Sequence, residues 1–80
     1  MEPFYCKPGL SYEEQLKAAD DYLMAAIEEL AAPEVPVFLA LTFIAAKTRD
    51  VVSKVTATCT KSYSEVDKDL ANLRERRGEL

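Results

Sequence analysis

The sequence predicts an all-α fold, an antiparallel helical hairpin with a short N-terminal arm and a long second helix that overhangs the first. Apolar residues recur at steps of three and four in two long stretches, which is the spacing of one helix face. The segment Pro33-Glu-Val-Pro36 separates the stretches, and no Pro or Gly lies between Pro36 and Gly78. A loop of about three to five residues joins antiparallel helices. We therefore predict one small domain over residues 1–80.

The first helix is predicted to span residues 12–31. Ser11-Tyr-Glu-Glu14 matches a capping box, in which the serine side chain and the glutamate side chain each bond a backbone N–H of the other residue. The helix should end before Pro33, because the residue before a proline is disfavoured in the α conformation. The apolar residues expected in the core from this helix are Leu16, Leu23, Ile27 and Leu30.

The second stretch opens with the most apolar segment of the chain. Only Thr42 interrupts the apolar run 37–46. A single helix over residues 36–77 is predicted, with Pro36 as its first residue, where a missing N–H is tolerated. Three large residues beside the loop at 33–36 are expected to complete the core: Phe38, Leu41 and Ile44.

The end of this second helix is predicted to form an association surface. Folding about the loop places the start of helix 1 opposite about Thr58, so the following residues overhang by about 30 Å at 1.5 Å per residue. An apolar stripe continues along the overhang, and an uncovered stripe indicates association. The predicted interface comprises Cys59, Tyr63, Val66, Leu70 and Leu73, with Phe4 and Tyr5 from the arm at residues 1–10.

An alternative breaks the second helix near residues 58–62. Thr56–Thr60 combines β-branched residues with a cysteine, which lowers helix propensity. Ser62-Tyr-Ser-Glu65 matches a second capping box. In this alternative a third helix begins there and folds back on the hairpin.

Composition narrows the classes of function. The chain has 80 residues, a net charge of −4, no His and two Gly, and we predict no catalytic, metal or cofactor-binding residues and no enzyme activity. The negative charge argues against nucleic acid. The apolar run is shorter than the roughly 20 residues that span a bilayer. The N-terminal residues lack a signal-peptide pattern, so we expect a cytoplasmic protein, or one exported without a cleaved signal peptide.

Two cysteines, Cys6 and Cys59, leave two possibilities open. They could bridge the arm to the second helix if their Cα atoms come within about 7 Å. Alternatively, both are free thiols, with Cys59 a small apolar packing residue.

Part of the chain resembles the needle-forming subunits of type III secretion systems. The matching residues are Ala26-Ile27-x-x-Leu30, the Pro33-Glu-Val-Pro36 loop, Leu39-Ala40, and Lys61-x-Tyr63-x-Glu65-Val66-Asp67, within about residues 23–67. The resemblance implies a secreted subunit that polymerises through its C-terminal helix and is held by chaperones before export. We therefore expect a non-catalytic assembly subunit that forms homo-oligomers. The alternative is a small cytoplasmic helical adaptor or antagonist that binds a partner protein, or dimerises, through the second helix.

Overall fold

The computed structural model describes residues 3–78, which form helices and no strands, so the predicted all-α class is confirmed. A single 3-10 turn spans Phe4–Cys6 in the arm. Helix α1 spans Tyr12–Leu30, α2 spans Val37–Thr58 and α3 spans Tyr63–Gly78. Helices α1 and α2 form the predicted hairpin about the 31–36 loop, and α3 packs against both of them.

The predicted capping box at the start of α1 is confirmed. The Ser11 hydroxyl accepts from the Glu14 N–H at 3.2 Å, and the Ser11 N–H donates to the Glu14 carboxylate at 3.0 Å. The bond from the Ser11 N–H, with a further contribution from the Ser11 side chain, lowers the pKa of Glu14, because it favours the ionised carboxylate. At the other end of the hairpin, Pro36 is the cap residue before α2, and its carbonyl accepts from the N–H groups of Leu39 and Ala40.

The prediction of one continuous second helix is wrong, and the break lies where the alternative placed it. Helix α2 ends at Thr58, and Cys59 has an extended backbone. The hydroxyls of Thr56 and Thr58 donate to main-chain carbonyls one turn back, which weakens the helix end. The Ser62 hydroxyl then accepts from the Glu65 N–H at 3.3 Å, and α3 starts in the opposite direction.

The core lies where α1, α2 and α3 meet, so the predicted overhang does not exist. Its fully or nearly fully buried residues include Leu16, Ala19, Leu23, Val51, Val52, Val55, Val66 and Leu70. The sequence predicts Val66 and Leu70 on an association surface, and this prediction is wrong. They lie in the core instead, because α3 folds back and buries the stripe that a straight helix would have exposed.

Polar contacts fix α3 against α1. The Tyr12 hydroxyl donates to Asp69, nearly two turns into α3, at 2.6 Å. Near its end, Arg74 and Arg77 bind the buried carboxylate of Asp20. Helix α3 therefore runs parallel to α1 and stops alongside the middle of it.

The arm packs on α1 and α2 at a separate place from α3. Tyr5 is buried and forms an aromatic cluster with Phe4 and Tyr22, with ring centroids 5.6–6.2 Å apart. The Cys6 thiol is buried and donates to the Lys54 carbonyl at 3.7 Å. Like α3, the arm covers the half of the hairpin away from the loop.

Candidate interaction site at the loop end of the hairpin

The loop end of the hairpin exposes several large apolar side chains. Val37 is 75% exposed, Phe38 73% and Leu41 62%, and all three lie in the first turns of α2. Leu39, Phe43 and, from α1, Met24 are also exposed. We call this surface the apolar tip: Met24, Ile27, Leu30, Val35, Val37, Phe38, Leu39, Leu41, Phe43 and Ile44.

The prediction that Phe38 and Leu41 belong to the core is wrong. The core is built where a third helix covers the hairpin, and α3 ends alongside Asp20, well before the loop. Only α1 packs against the beginning of α2, and one neighbouring helix cannot enclose side chains on several faces of α2. Ile44 is half-buried for the same reason.

The α1 residues predicted to lie in the core fall into two groups, one buried beside α3 and one partly exposed nearer the loop. Leu16 and Leu23 are buried, as predicted. Ile27 and Leu30, one and two turns nearer the loop, are only half-buried. The apolar face of α1 therefore passes from the core into the tip without a break.

An open apolar cleft of about 330 Å³ lies between the two helices at the tip. Its walls are aliphatic side chains and alanines of α1, the loop and α2: Ile27, Leu30, Ala31, Ala32, Pro33, Val35, Val37, Ala40, Leu41 and Ile44. The one polar side chain in the apolar run, Thr42, donates its hydroxyl to the Phe38 carbonyl at 2.9 Å. That bond satisfies the hydroxyl within the helix, so the surface offers apolar contact rather than a polar binding pocket.

All charged residues between Tyr22 and Ala46 are negative. Glu28, Glu29 and Glu34 are exposed, and residues 18–46 contain no Lys or Arg. The last turn of α1 also lacks a basic residue, so the partial negative charge of the helix C-terminus is not offset there. The tip is thus an apolar surface with an acidic margin.

The remaining predicted interface residues lie away from the tip. Tyr63 and Phe4 are exposed, whereas Tyr5 is buried beside Tyr22. Cys59 and Leu73 are half-buried against the core. Of the predicted interface, the structure therefore leaves only two exposed side chains, on different elements.

Both cysteines are free thiols, so the structure contains no bridge between the arm and α2. Cys6 lies against Lys54, more than a turn before Cys59 along α2.

Within residues 3–78 no group of three or more Cys, Asp or Glu side chains is arranged to hold a metal ion. A second open groove, of about 430 Å³ between α1 and α3, is lined by Glu13, Leu16, Lys17, Leu73, Arg76 and Arg77. Its acidic and basic side chains are intermixed and Arg77 is bound to Asp20 and Asp21, so the groove presents no free cluster of one charge.

No helix in the described part of the chain combines the length and the hydropathy needed to cross a membrane. Comparison of the chain with models of known protein families, with characterised proteins and with solved structures finds no match.

Several residues of the tip were missed by reasoning from the sequence, namely Met24, Val37, Leu39 and Phe43. A pattern in the sequence does point to them. A helix in a two-helix hairpin buries only one face, yet the 37–46 segment is apolar on all its faces. The excess of apolar residues indicates that some of them are exposed.

Proposed function

We propose that this protein is a non-catalytic interaction module that binds a partner protein through the apolar tip. The observation that supports the proposal most is the contiguous exposure of Val37, Phe38 and Leu41. Large apolar patches on small proteins are characteristic of binding surfaces, because their exposure to water is unfavourable until a partner covers them. The surface proposed to bind the partner is therefore the apolar tip, and not the stripe of α3, which is largely buried.

Assembly with copies of itself is the second candidate, as the resemblance to needle subunits implies. The hairpin and its Pro33–Pro36 loop agree with that resemblance. Polymerisation through residues 59–73 would, however, require α3 to leave the hairpin, which exposes Val66 and Leu70 and breaks the bonds of Asp20. Self-association through the apolar tip requires no such rearrangement.

The test uses a variant with Phe38→Ser and Leu41→Ser. Its mass in solution is measured by sedimentation over a concentration series, beside the wild type. In parallel, tagged proteins are used to capture partners quantitatively from cells that make the chain. We expect the wild type to bind a partner, or itself, in a fixed ratio, and the variant to lose that binding.

A matched control carries Tyr63→Ser, which removes an exposed aromatic ring far from the tip. It should keep the binding of the wild type. Far-ultraviolet circular dichroism must show the same helix content in all three proteins. Retention of the same partners and the same mass by the Phe38→Ser, Leu41→Ser variant would contradict the proposal.

A further inference from the structure

The groove that α3 occupies between α1 and α2 continues beyond the end of α3. The last turns of α3 reach Asp20 and Asp21, which Arg77 binds at 2.7 and 2.8 Å. Helix α1 runs on to Leu30, and nine further residues at 1.5 Å per residue extend it by about 14 Å. The described part of α3 ends at Gly78, so it leaves this length of the hairpin uncovered.

The helical repeat determines which residues line the extension. Seven residues make almost two full turns, so Glu28 lies on the same side of α1 as Asp21. By the same spacing Leu41 lies on the same side of α2 as Thr48, which lines a small cleft together with Arg74 of α3. The extension therefore has a carboxylate on its α1 side and an exposed apolar residue on its α2 side.

This arrangement repeats one of the contacts by which the hairpin holds α3: Glu28 takes the place of the exposed Asp21, and the apolar Ile27 takes the place of the buried Asp20. Helix α3 presents Arg74 and Arg77 to carboxylates of α1, while its Val66 and Leu70 are buried against the hairpin. Further along, Glu28 is exposed and forms no ion pair within residues 3–78. The absence of Lys and Arg from residues 18–46 means that no basic residue nearby in sequence competes for it.

We infer that the extension binds an amphipathic helix of a partner protein, about two and a half turns long, in line with α3. Basic residues of that helix face Glu28, and apolar residues contact Phe38 and Leu41. The inference rests on the proposed function and specifies its partner.

Charge favours this occupant over two others. A second copy of the chain would bring its own acidic margin to the groove, and Arg74 and Arg77, two of the three arginines of its α3, are already bound to Asp20 or Asp21. An anionic membrane surface would be repelled by Glu28, Glu29 and Glu34.

The test uses two labelled synthetic peptides of about 14 residues, long enough to span the extension. Both carry leucines on one helical face; one has lysine and arginine beside the leucines, and the other has glutamate at the same positions. Binding to the full chain is measured by fluorescence anisotropy at low and at physiological salt. We expect the basic peptide to bind and the acidic peptide not to bind.

Variants locate the binding. The double substitution Phe38→Ser, Leu41→Ser should lower the affinity for the basic peptide by about tenfold or more, as expected for central apolar contacts. Glu28→Gln should weaken it by about two- to fivefold, the range for one partly exposed ion pair. Glu75→Gln changes the net charge equally but lies on an exposed part of α3, and it should leave the affinity almost unchanged.

Three results would overturn the inference: equal binding of the two peptides, equal weakening by Glu28→Gln and Glu75→Gln, or unchanged binding after loss of Phe38 and Leu41. If the basic peptide does not bind, but the chain associates with itself through Phe38 and Leu41, the inference fails while a binding role for the tip stands. Binding of the tip to phosphatidylcholine vesicles instead would overturn both.

Discussion

Arg77 donates from Nη1 to Oδ2 of Asp20 over 2.7 Å, and the Asp20 side chain has no exposed surface. The same nitrogen bonds Asp21 at 2.8 Å, and Arg74 Nε bonds the other Asp20 oxygen at 3.2 Å. The bonds to the aspartates raise the pKa of Arg77, since they favour its charged form. A buried carboxylate between two arginines thus joins the end of α3 to the middle of α1.

Removing the two sides of this ion pair should have unequal effects. Arg74→Ala with Arg77→Ala leaves the Asp20 carboxylate buried without a cation, and should lower the free energy of unfolding by about 3–5 kcal/mol. Asp20→Asn should cost less, because the arginine side chains are partly exposed, 36% for Arg74 and 31% for Arg77, and Arg77 keeps its bond to Asp21. Urea denaturation of both variants measures the difference. Asp21→Asn, at an exposed carboxylate, is the control and should cost at most about 1 kcal/mol.

An equal or larger loss for Asp20→Asn would show that Asp20 is not held as a buried charge by α3. A loss near 3 kcal/mol for Asp21→Asn would show that Asp21, and not Asp20 alone, anchors the end of α3.

The packing of α3 can be tested at Leu70, which is 3% exposed. Leu70→Ala should lower the free energy of unfolding by about 2–5 kcal/mol, because it removes buried methyl groups and leaves a cavity. Asn72→Ala, at an exposed position of α3, should change it by less than about 0.5 kcal/mol. Similar small effects of both substitutions would indicate that α3 is not docked, as in the overhanging helix that the sequence first suggested.

Alkaline pH should destabilise the protein through Tyr5. Burial, together with the negative charge of Asp50, raises the pKa of Tyr5 from 10.0 to about 12. In the unfolded chain the phenol ionises near its ordinary pKa, so ionisation favours unfolding. The contribution of the neutral Tyr5 side chain to the free energy of unfolding is fully present below pH 10 and is lost as the pH rises from 10 towards 12.

Tyr5→Phe provides the measurement. The urea midpoint of the wild type should fall between pH 9 and pH 11.5 by more than that of the variant, while lysine titration affects both proteins alike. An identical pH dependence of the two proteins would show that Tyr5 is exposed to solvent and that the arm is not docked.

The two thiols should react at different rates. Cys6 belongs to the arm and is only 8% exposed because its thiol faces α2, whereas Cys59 is half-buried just after the end of α2. With an aromatic disulfide reagent, the denatured protein should release two thiols per chain. The native protein should react faster at Cys59, since Cys6 requires the arm to open. Mass spectrometry of partly modified protein assigns the sites, and faster reaction at Cys6 would contradict the packing of the arm.

Much of the fold follows from local chemistry and could be predicted. The Ser11–Glu14 capping box and the proline loop define where α1 begins and where the hairpin turns, because both depend on residues next to each other in sequence. The capping pattern at Ser62 was visible as well. Whether α2 continues through Thr58 was not decided by local preference, since an amphipathic repeat runs through the break.

The location of the core could not be read from periodicity. Val66 and Phe38 both lie at apolar helical positions, yet one is fully buried and the other is mostly exposed. The difference arises from the length of α3, which sets how much of the hairpin receives a third helix. The docking of α3 depends on long-range contacts such as that of Asp20 with Arg77, which join residues 57 positions apart.

The apolar residues beside the loop form a surface and contribute little to the core. The most direct test is the free energy of unfolding of the Phe38→Ala, Leu41→Ala double variant, from urea denaturation at neutral pH. We predict a loss of less than about 1 kcal/mol, as for exposed positions. A loss of about 4 kcal/mol or more, or failure to fold, would show that these side chains are buried core residues and would contradict the assignment of the tip as a binding surface.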